Sequence, residues 1–61
     1  MGNLTTKELS GIEDQLKAEQ TMICKLDHFE SCTQDAALKS KYSEMKAKHQ
    51  SHYDTLVSLL G

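Results

Sequence analysis

Hydrophobic residues recur along the first half of the chain at the spacing of a helix that packs against another helix. The positions of this first stripe are Leu9, Ile12, Leu16, Glu19, Ile23 and Leu26, and one of them, Glu19, is charged. Steps of three and four residues keep all of them on one face of an α-helix. A helix start signal precedes the stripe, with Thr5 as N-cap and Glu8 as its capping-box partner. The pattern predicts a first helix over about residues 5–30.

A second stripe follows a short, mostly polar interruption at residues 31–35. Thr33 or Asp35 can cap the helix that follows, because short polar side chains compete for backbone hydrogen bonds. The positions of the second stripe are Leu38, Tyr42, Met45, His49, His52, Leu56 and Leu59. This stripe predicts a second helix over about 36–60, with Gly61 as its C-cap. Since a short connection makes neighbouring helices antiparallel, we expect an all-α fold, a single helical-hairpin domain over residues 1–61.

Apolar residues flank both stripes and widen the apolar surface beyond what one partner helix can cover. They are Ala18, Met22 and Phe29 on the first helix and Tyr53, Val57 and Leu60 on the second. Chains of about 60 residues seldom build a stable core alone. We therefore expect a homo-oligomer, most simply a dimer in which two hairpins form a four-helix bundle.

Composition and charge narrow the classes of partner. Aromatic residues make up 5% of the chain and neither Trp nor Pro occurs, which favours long helices. The net charge is −2 with acidic and basic side chains interspersed, so no basic stripe suits a nucleic acid. The start of the sequence lacks a secretory pattern, and no apolar run is long enough to span a membrane. We expect a soluble protein made in the cytoplasm, without nucleic-acid or membrane partners.

Short motifs add little to this picture. Gly2 with Thr6 fits an acylation pattern and Asn3 begins a glycosylation sequon, but both patterns are too short to carry a prediction. Cys24 and Cys32 are eight residues apart, which on a helix is about 12 Å of rise and beyond disulfide reach within one chain. We expect two reduced, semi-buried thiols, with a crosslink between chains through Cys32 as the alternative.

Three ionisable residues lie within the two stripes. Glu19 lies at the level of about position 47 on the second helix, close to His49 and His52. Because side chains lean toward the N-terminus of their helix, the carboxylate and the imidazoles of an antiparallel hairpin tilt toward one another. The group can be a hydrogen-bonded layer that fixes register, a transition-metal site, or a pH-responsive layer without metal. Glu19, His49 and His52 are the candidate metal ligands, and His28, off the stripe, is not.

Four segments together carry a resemblance to a known family. They are Leu4-Thr5-Thr6-Lys7-Glu8-Leu9, Glu19-Gln20, Cys32-Thr33-Gln34-Asp35 leading into Leu38-Lys39, and His49-Gln50-Ser51-His52 followed by Thr55-Leu56. From Leu9 to Leu59 the chain resembles the short spore coat F-like proteins of spore-forming bacteria, which belong with the ferritin-like helical families. The resemblance implies a ferritin-like four-helix bundle, a location in the spore coat, and other coat proteins as partners.

The same resemblance bears on the polar residues. Ferritin-like families place a metal-binding Glu on the first helix and a Glu-x-x-His pair on the second, which Glu19 and His52 match by resemblance. Residue 49 departs from the pattern, because His49 stands in place of Glu and removes a bridging carboxylate. A dimer would offer two Glu and four His side chains, a set that favours zinc, copper or nickel over an iron pair.

The expected function follows from the resemblance and from the absence of a catalytic arrangement. No Ser-His-Asp set, phosphate-binding glycine loop or Cys-x-x-Cys pair occurs in the sequence. We expect a small self-associating structural protein without enzymatic activity. The first alternative is a metal-binding ferritin-like protein holding zinc, copper, nickel or iron, with a degenerate oxidoreductase as the only enzyme class considered. The second alternative is an adaptor that binds a partner helix.

Overall fold

A computed structural model describes residues 4–61. Residues 1–3, where the acylation and glycosylation patterns begin, lie outside the described residues. Helix α1 spans Thr6–Cys32 and helix α2 spans Ala36–Ser58. The two helices pack against each other, and no strand occurs between residues 4 and 61. The expected all-α hairpin is therefore confirmed, with α1 ending two residues later and α2 two residues earlier than the stripes predict.

Side-chain caps fix where both helices begin. The Thr5 hydroxyl accepts a hydrogen bond from the Glu8 amide at 3.1 Å, and the Thr5 amide donates to Glu8 Oε1 at 2.9 Å. Asp35 Oδ1 accepts from the amides of Ala37 and Leu38 at 2.9 and 3.0 Å. These contacts satisfy amides that a helix start leaves without partners. The capping box predicted at Thr5 is present, and of the two caps that the sequence offered for α2, Thr33 and Asp35, the structure has Asp35.

The C-terminal end of α2 differs from the expectation. The C-cap is Leu59, whose amide donates to Leu56 O at 3.1 Å, and the amide of Leu60 donates to Val57 O at 3.0 Å. These short-range bonds tighten the end of the helix into a turn. Gly61 lies beyond this turn with a φ of 120°, so it follows the cap rather than forming it.

The inward-facing residues agree with the predicted stripe on α1 better than on α2. On α1, Ile12, Leu16, Glu19, Ile23 and Leu26 are covered. Leu9, the first member of that stripe, is 40% exposed. On α2 the covered residues are Tyr42, Lys46, His49, Tyr53 and Leu56. Steps of three then four and of four then three both suit a helix, so spacing alone could not choose between Met45 and Lys46.

Contacts across the hairpin accompany that rotation of α2. Lys46 pairs with Asp27, and the Tyr53 hydroxyl accepts a hydrogen bond from Gln20 Nε2 at 3.2 Å. Both partners lie on α1, and the order of the two pairs is reversed along the two helices, as an antiparallel arrangement requires. Met45, placed inside by the spacing, is 44% exposed. The face of α2 that meets α1 thus includes Lys46 and Tyr53, which make polar contacts across the hairpin.

The hairpin is long and has little buried interior. Its extents are 47 × 16 × 10 Å, and its radius of gyration is 14.4 Å, against about 10.5 Å for a compact chain of this length. Leu26, 3% exposed, is the single buried hydrophobic residue in the described part of the chain. Across residues 4–61, neither helix has the length and apolar character needed to cross a bilayer.

Candidate functional site

One carboxylate on α1 joins two imidazoles on α2 at the centre of the hairpin. Glu19 Oε2 lies 2.6 Å from His49 Nδ1, and Glu19 Oε1 lies 2.8 Å from His52 Nδ1. Gln15 Nε2, one turn earlier on α1, also donates to Glu19 Oε1 at 3.0 Å. The structure thus brings together all three residues that the stripes single out. We call Gln15, Glu19, His49 and His52 the polar layer.

Helix geometry sets this arrangement. Gln15 and Glu19 are four residues apart and His49 and His52 three apart, so each pair shares one face of its helix. Glu19 is the central residue of α1, with thirteen residues of the helix on either side. The side chains lean toward each other because the helices are antiparallel. The polar layer therefore lies at mid-length of α1.

The carboxylate of the polar layer is buried but stays in its charged form. Glu19 is 5% exposed. The hydrogen bond from His49 holds the pKa of Glu19 below its ordinary value, burial opposes this shift, and Gln15 and His52 reinforce it. A buried carboxylate that accepts several hydrogen bonds is stabilised as the anion. Removal of these partners would leave an uncompensated charge in the seam.

The donor set of the polar layer does not fit a carboxylate-rich iron pair. Such centres need bridging carboxylates, but both oxygens of Glu19 are engaged by imidazoles and residue 49 is His. Among residues 4–61, no group of three or more His, Cys, Asp and Glu side chains is arranged to hold a metal ion. The three predicted residues meet as a hydrogen-bonded layer, and their role as metal ligands stays a prediction.

Several exposed hydrophobic residues lie along one side of the hairpin. On both helices an exposed residue comes one position before an inward-facing one, which turns it by about 100° to one side. Four of the inward-facing residues show this, namely Ile23, Glu30, Lys46 and Tyr53. The exposed residues before them are Met22, Phe29, Met45 and His52. Because the helices are antiparallel, residues one position before an inward-facing residue lie on the same side of the hairpin in both helices.

Two leucines extend this surface, Leu38 within α2 and Leu59 at its C-cap. Leu38, Met45, His52 and Leu59 follow one another at intervals of seven residues, the repeat of a coiled-coil seam. We define the apolar face as Met22, Phe29, Leu38, Met45, His52 and Leu59. His52 belongs to both the apolar face and the polar layer, and its side chain is 55% exposed.

The opposite side of the hairpin is closed by polar contacts between the helices. Lys46 Nζ lies 2.9 Å from Asp27 Oδ1 and 2.7 Å from Glu30 Oε1, the second contact lying outside hydrogen-bond geometry. Glu30 and then Asp27 raise the pKa of Lys46, and Lys46 lowers the pKa of Asp27. Together with the hydrogen bond between Gln20 and Tyr53, these contacts form what we call the polar face. Sequence reasoning missed it, although Asp27 and Lys46 lie at matching levels of an antiparallel hairpin.

An open groove of about 400 Å³ lies on the polar face. Its lining residues are Gln20, Ile23, Cys24, Gln50 and Tyr53. Cys24 and Cys32 are both free and exposed, rather than semi-buried as the sequence suggested. Cys32 Sγ lies 3.6 Å from His28 Nε2, near the end of α1. His28 is thus engaged away from the polar layer, in agreement with its exclusion from the candidate site.

Comparisons with known proteins identify no relative. No family model matches this chain, and neither the curated proteins nor the solved structures give a significant match. The resemblance to spore coat F-like proteins therefore stays a prediction from the sequence segments that carry it.

Proposed function

We propose that this chain is a self-associating structural protein, in which two hairpins join through their apolar faces to make a four-helix bundle. One observation carries the proposal: the hairpin leaves its large hydrophobic side chains uncovered. Nine of them in the described part of the chain are 37–47% exposed, five of them on the apolar face, whereas Leu26 alone is buried. Because a domain this small depends on its apolar burial, a surface that completes the core is required.

The exposed area supports a partner of about the size of a second hairpin. The chain exposes 4655 Å², whereas a compact monomer of 6.8 kDa exposes about 3950 Å². The excess of about 700 Å² is close to the roughly 800 Å² that each partner buries in a standard interface. An interface of standard size with a second hairpin would thus cover about this excess on each chain.

The chemistry of the apolar face favours a second copy over a charged partner. Its defining members are neutral hydrophobic side chains and one histidine, and the exposed lysines that also precede inward-facing residues, Lys25, Lys41 and Lys48, lie on the same side of the hairpin. Two-fold dimers join the same patch of both subunits and need a self-complementary surface. The seven-residue spacing along α2 also suits packing against another helix.

Sedimentation equilibrium tests the proposal on the unmodified chain. We expect a mass of twice 6.8 kDa or more at micromolar concentration. Met45→Glu places a charge in the joined faces and should shift the protein to monomer or unfold it. Ser43→Glu is the matched control, since residue 43 is an exposed position of the same helix on the opposite side. A fully helical monomer of the unmodified chain, or equal effects of both variants, would refute the proposal.

The setting of this assembly rests on the sequence resemblance. Similarity to short spore coat F-like proteins favours a building block of the spore coat, with other coat proteins as further partners. A second candidate function is metal binding, and a specific observation favours it. Both imidazoles of the polar layer are held by a carboxylate through Nδ1, which is how proteins commonly orient histidines that bind metal.

A further inference from the structure

The hydrogen bonds of the polar layer fix which nitrogen of each imidazole is available. An ionised carboxylate only accepts hydrogen bonds, so Nδ1 of His49 and Nδ1 of His52 donate to Glu19. Nε2 of each neutral ring then keeps its lone pair. Among residues 4–61, neither Nε2 atom has a hydrogen-bond partner. One hairpin therefore presents two imidazole nitrogens in the tautomer that binds metals.

This arrangement changes the role expected of Glu19. With both oxygens engaged by imidazoles and Oε1 also accepting from Gln15, the carboxylate supports the histidines instead of serving as a ligand beside them. Such a carboxylate orients the rings and raises their basicity as ligands. Two nitrogens from one hairpin are half of the four ligands that a structural zinc ion takes.

The position of the polar layer lets a second hairpin supply the other half. Glu19 is the central residue of α1. If two hairpins overlap fully, in parallel or antiparallel orientation, their mid-lengths lie at one level, and so do their polar layers. His52 lies on the apolar face with its side chain 55% exposed, and His49 beside it is 32% exposed. The joined faces would therefore place imidazoles of both copies around one point.

We infer that two copies of this chain bind one Zn²⁺ ion through Nε2 of His49 and His52 of each copy. Glu19 of each copy acts as a positioning residue. The inference rests on the proposed function, because the second copy provides two of the four ligands. The site has only nitrogen ligands and no bridging carboxylate, so it departs from the ferritin-like pattern.

Calorimetric titration of the metal-free protein with zinc chloride tests the site. We expect one Zn²⁺ per two chains and a higher melting temperature after addition. His49→Gln and His52→Gln should each abolish this stoichiometry. His28→Gln, which removes a histidine outside the polar layer, should leave binding unchanged. No zinc binding, one Zn²⁺ per chain, or unaltered binding by His52→Gln would overturn the inference.

The positioning role of Glu19 has its own readout. Glu19→Gln should weaken zinc binding by about 10- to 100-fold, the usual cost of losing a carboxylate that supports a ligand. It should also change the nitrogen NMR shifts of His49 and His52, which report the Nδ1–H tautomer. Unchanged affinity together with unchanged shifts would overturn this role. If a variant fails to fold, the imidazole resonances of the unmodified protein decide instead, since zinc must shift those of His49 and His52 but not that of His28.

Sedimentation with zinc chloride and with a chelator separates the two proposals. A dimer under both conditions that binds no zinc overturns the zinc site and leaves the proposed function in place. A monomer under both conditions overturns both. A dimer that is retained in chelator and gains thermal stability with zinc supports both.

Discussion

The two long sides of this hairpin are built differently, although the same two helices form them. On the polar face, Lys46 meets Asp27 and Glu30, and Gln20 meets Tyr53, so the partners all lie within one chain. On the apolar face, Met45 is 44% exposed and Phe29 is 47% exposed. The polar face therefore joins α2 to α1 within one chain. The apolar face is left for a partner to cover.

The polar layer lies between the helices and reaches the apolar face. Glu19 and His49 lie in the seam, while His52 reaches the apolar face. Hydrogen-bonded polar groups contribute little net stability, but isolated polar groups in helical seams can fix register. Polar contacts within the chain thus align the two helices, whereas the apolar face is left for contacts that complete the core.

The largest effect on stability is expected between the two helices, where the chain buries Leu26. Leu26→Ala removes the one buried hydrophobic side chain among the described residues and should lower the free energy of unfolding by about 2–5 kcal/mol. Leu60→Ala is the control, because Leu60 lies beyond α2 and is exposed. Urea denaturation of both variants checks this prediction. Equal losses would mean that Leu26 does not anchor the hairpin.

A smaller effect is expected from the polar layer, and it should not be additive. Glu19→Leu alone should lower the melting temperature, because both imidazoles lose their acceptor in the seam. The combination with His49→Leu and His52→Leu should recover the loss or exceed the original stability, since neither imidazole then remains without its acceptor. Thermal denaturation in a chelator checks both. A triple variant less stable than Glu19→Leu would contradict this account.

The smallest effect is expected on the polar face, and it should depend on pH. Lys46 lowers the pKa of Asp27. The contribution of Asp27 to stability is therefore present above its unfolded pKa of about 3.9 and is lost as the pH falls. Glu30 and Asp27 raise the pKa of Lys46. The contribution of Lys46 to stability is therefore present below its unfolded pKa of about 10.4 and is lost as the pH rises.

Lys46→Met tests this window. The difference in melting temperature between the unmodified chain and the variant should be largest near neutral pH and should shrink at both extremes and in high salt. Lys39→Met, at an exposed position of the same helix, is the control and should show a weaker dependence. A constant difference for Lys46→Met at every pH would mean that the ion pairs add nothing.

Much of the fold could be predicted from the sequence because its signals are local. The capping box at Thr5 and Glu8 and the cap at Asp35 depend on residues within three positions of each other, and both are present. The meeting of Glu19 with two histidines was also predictable, since level and side-chain tilt follow from helix geometry.

The rotation of α2 was not predictable from spacing. Met45 and Lys46 are both compatible with a helical stripe, and hydrophobicity favoured Met45. Lys46 faces α1, where it contacts Asp27 and Glu30. The hydrophobic pattern of one helix carries no information about such a contact with another helix. The same limit hid the tautomer of the histidines, which depends on how one carboxylate divides its two oxygens between them.

Isotope-filtered NMR on a mixture of labelled and unlabelled chains tests the central claim most directly. It detects contacts between different copies only. If the apolar face joins two copies, the methyl groups of Met22, Met45 and Leu38 should show contacts to unlabelled chains, and Ile23, beside the groove of the polar face, should show none. Contacts between copies that are confined to Ile23, or none at any of these methyl groups in a fully helical sample, would contradict the account.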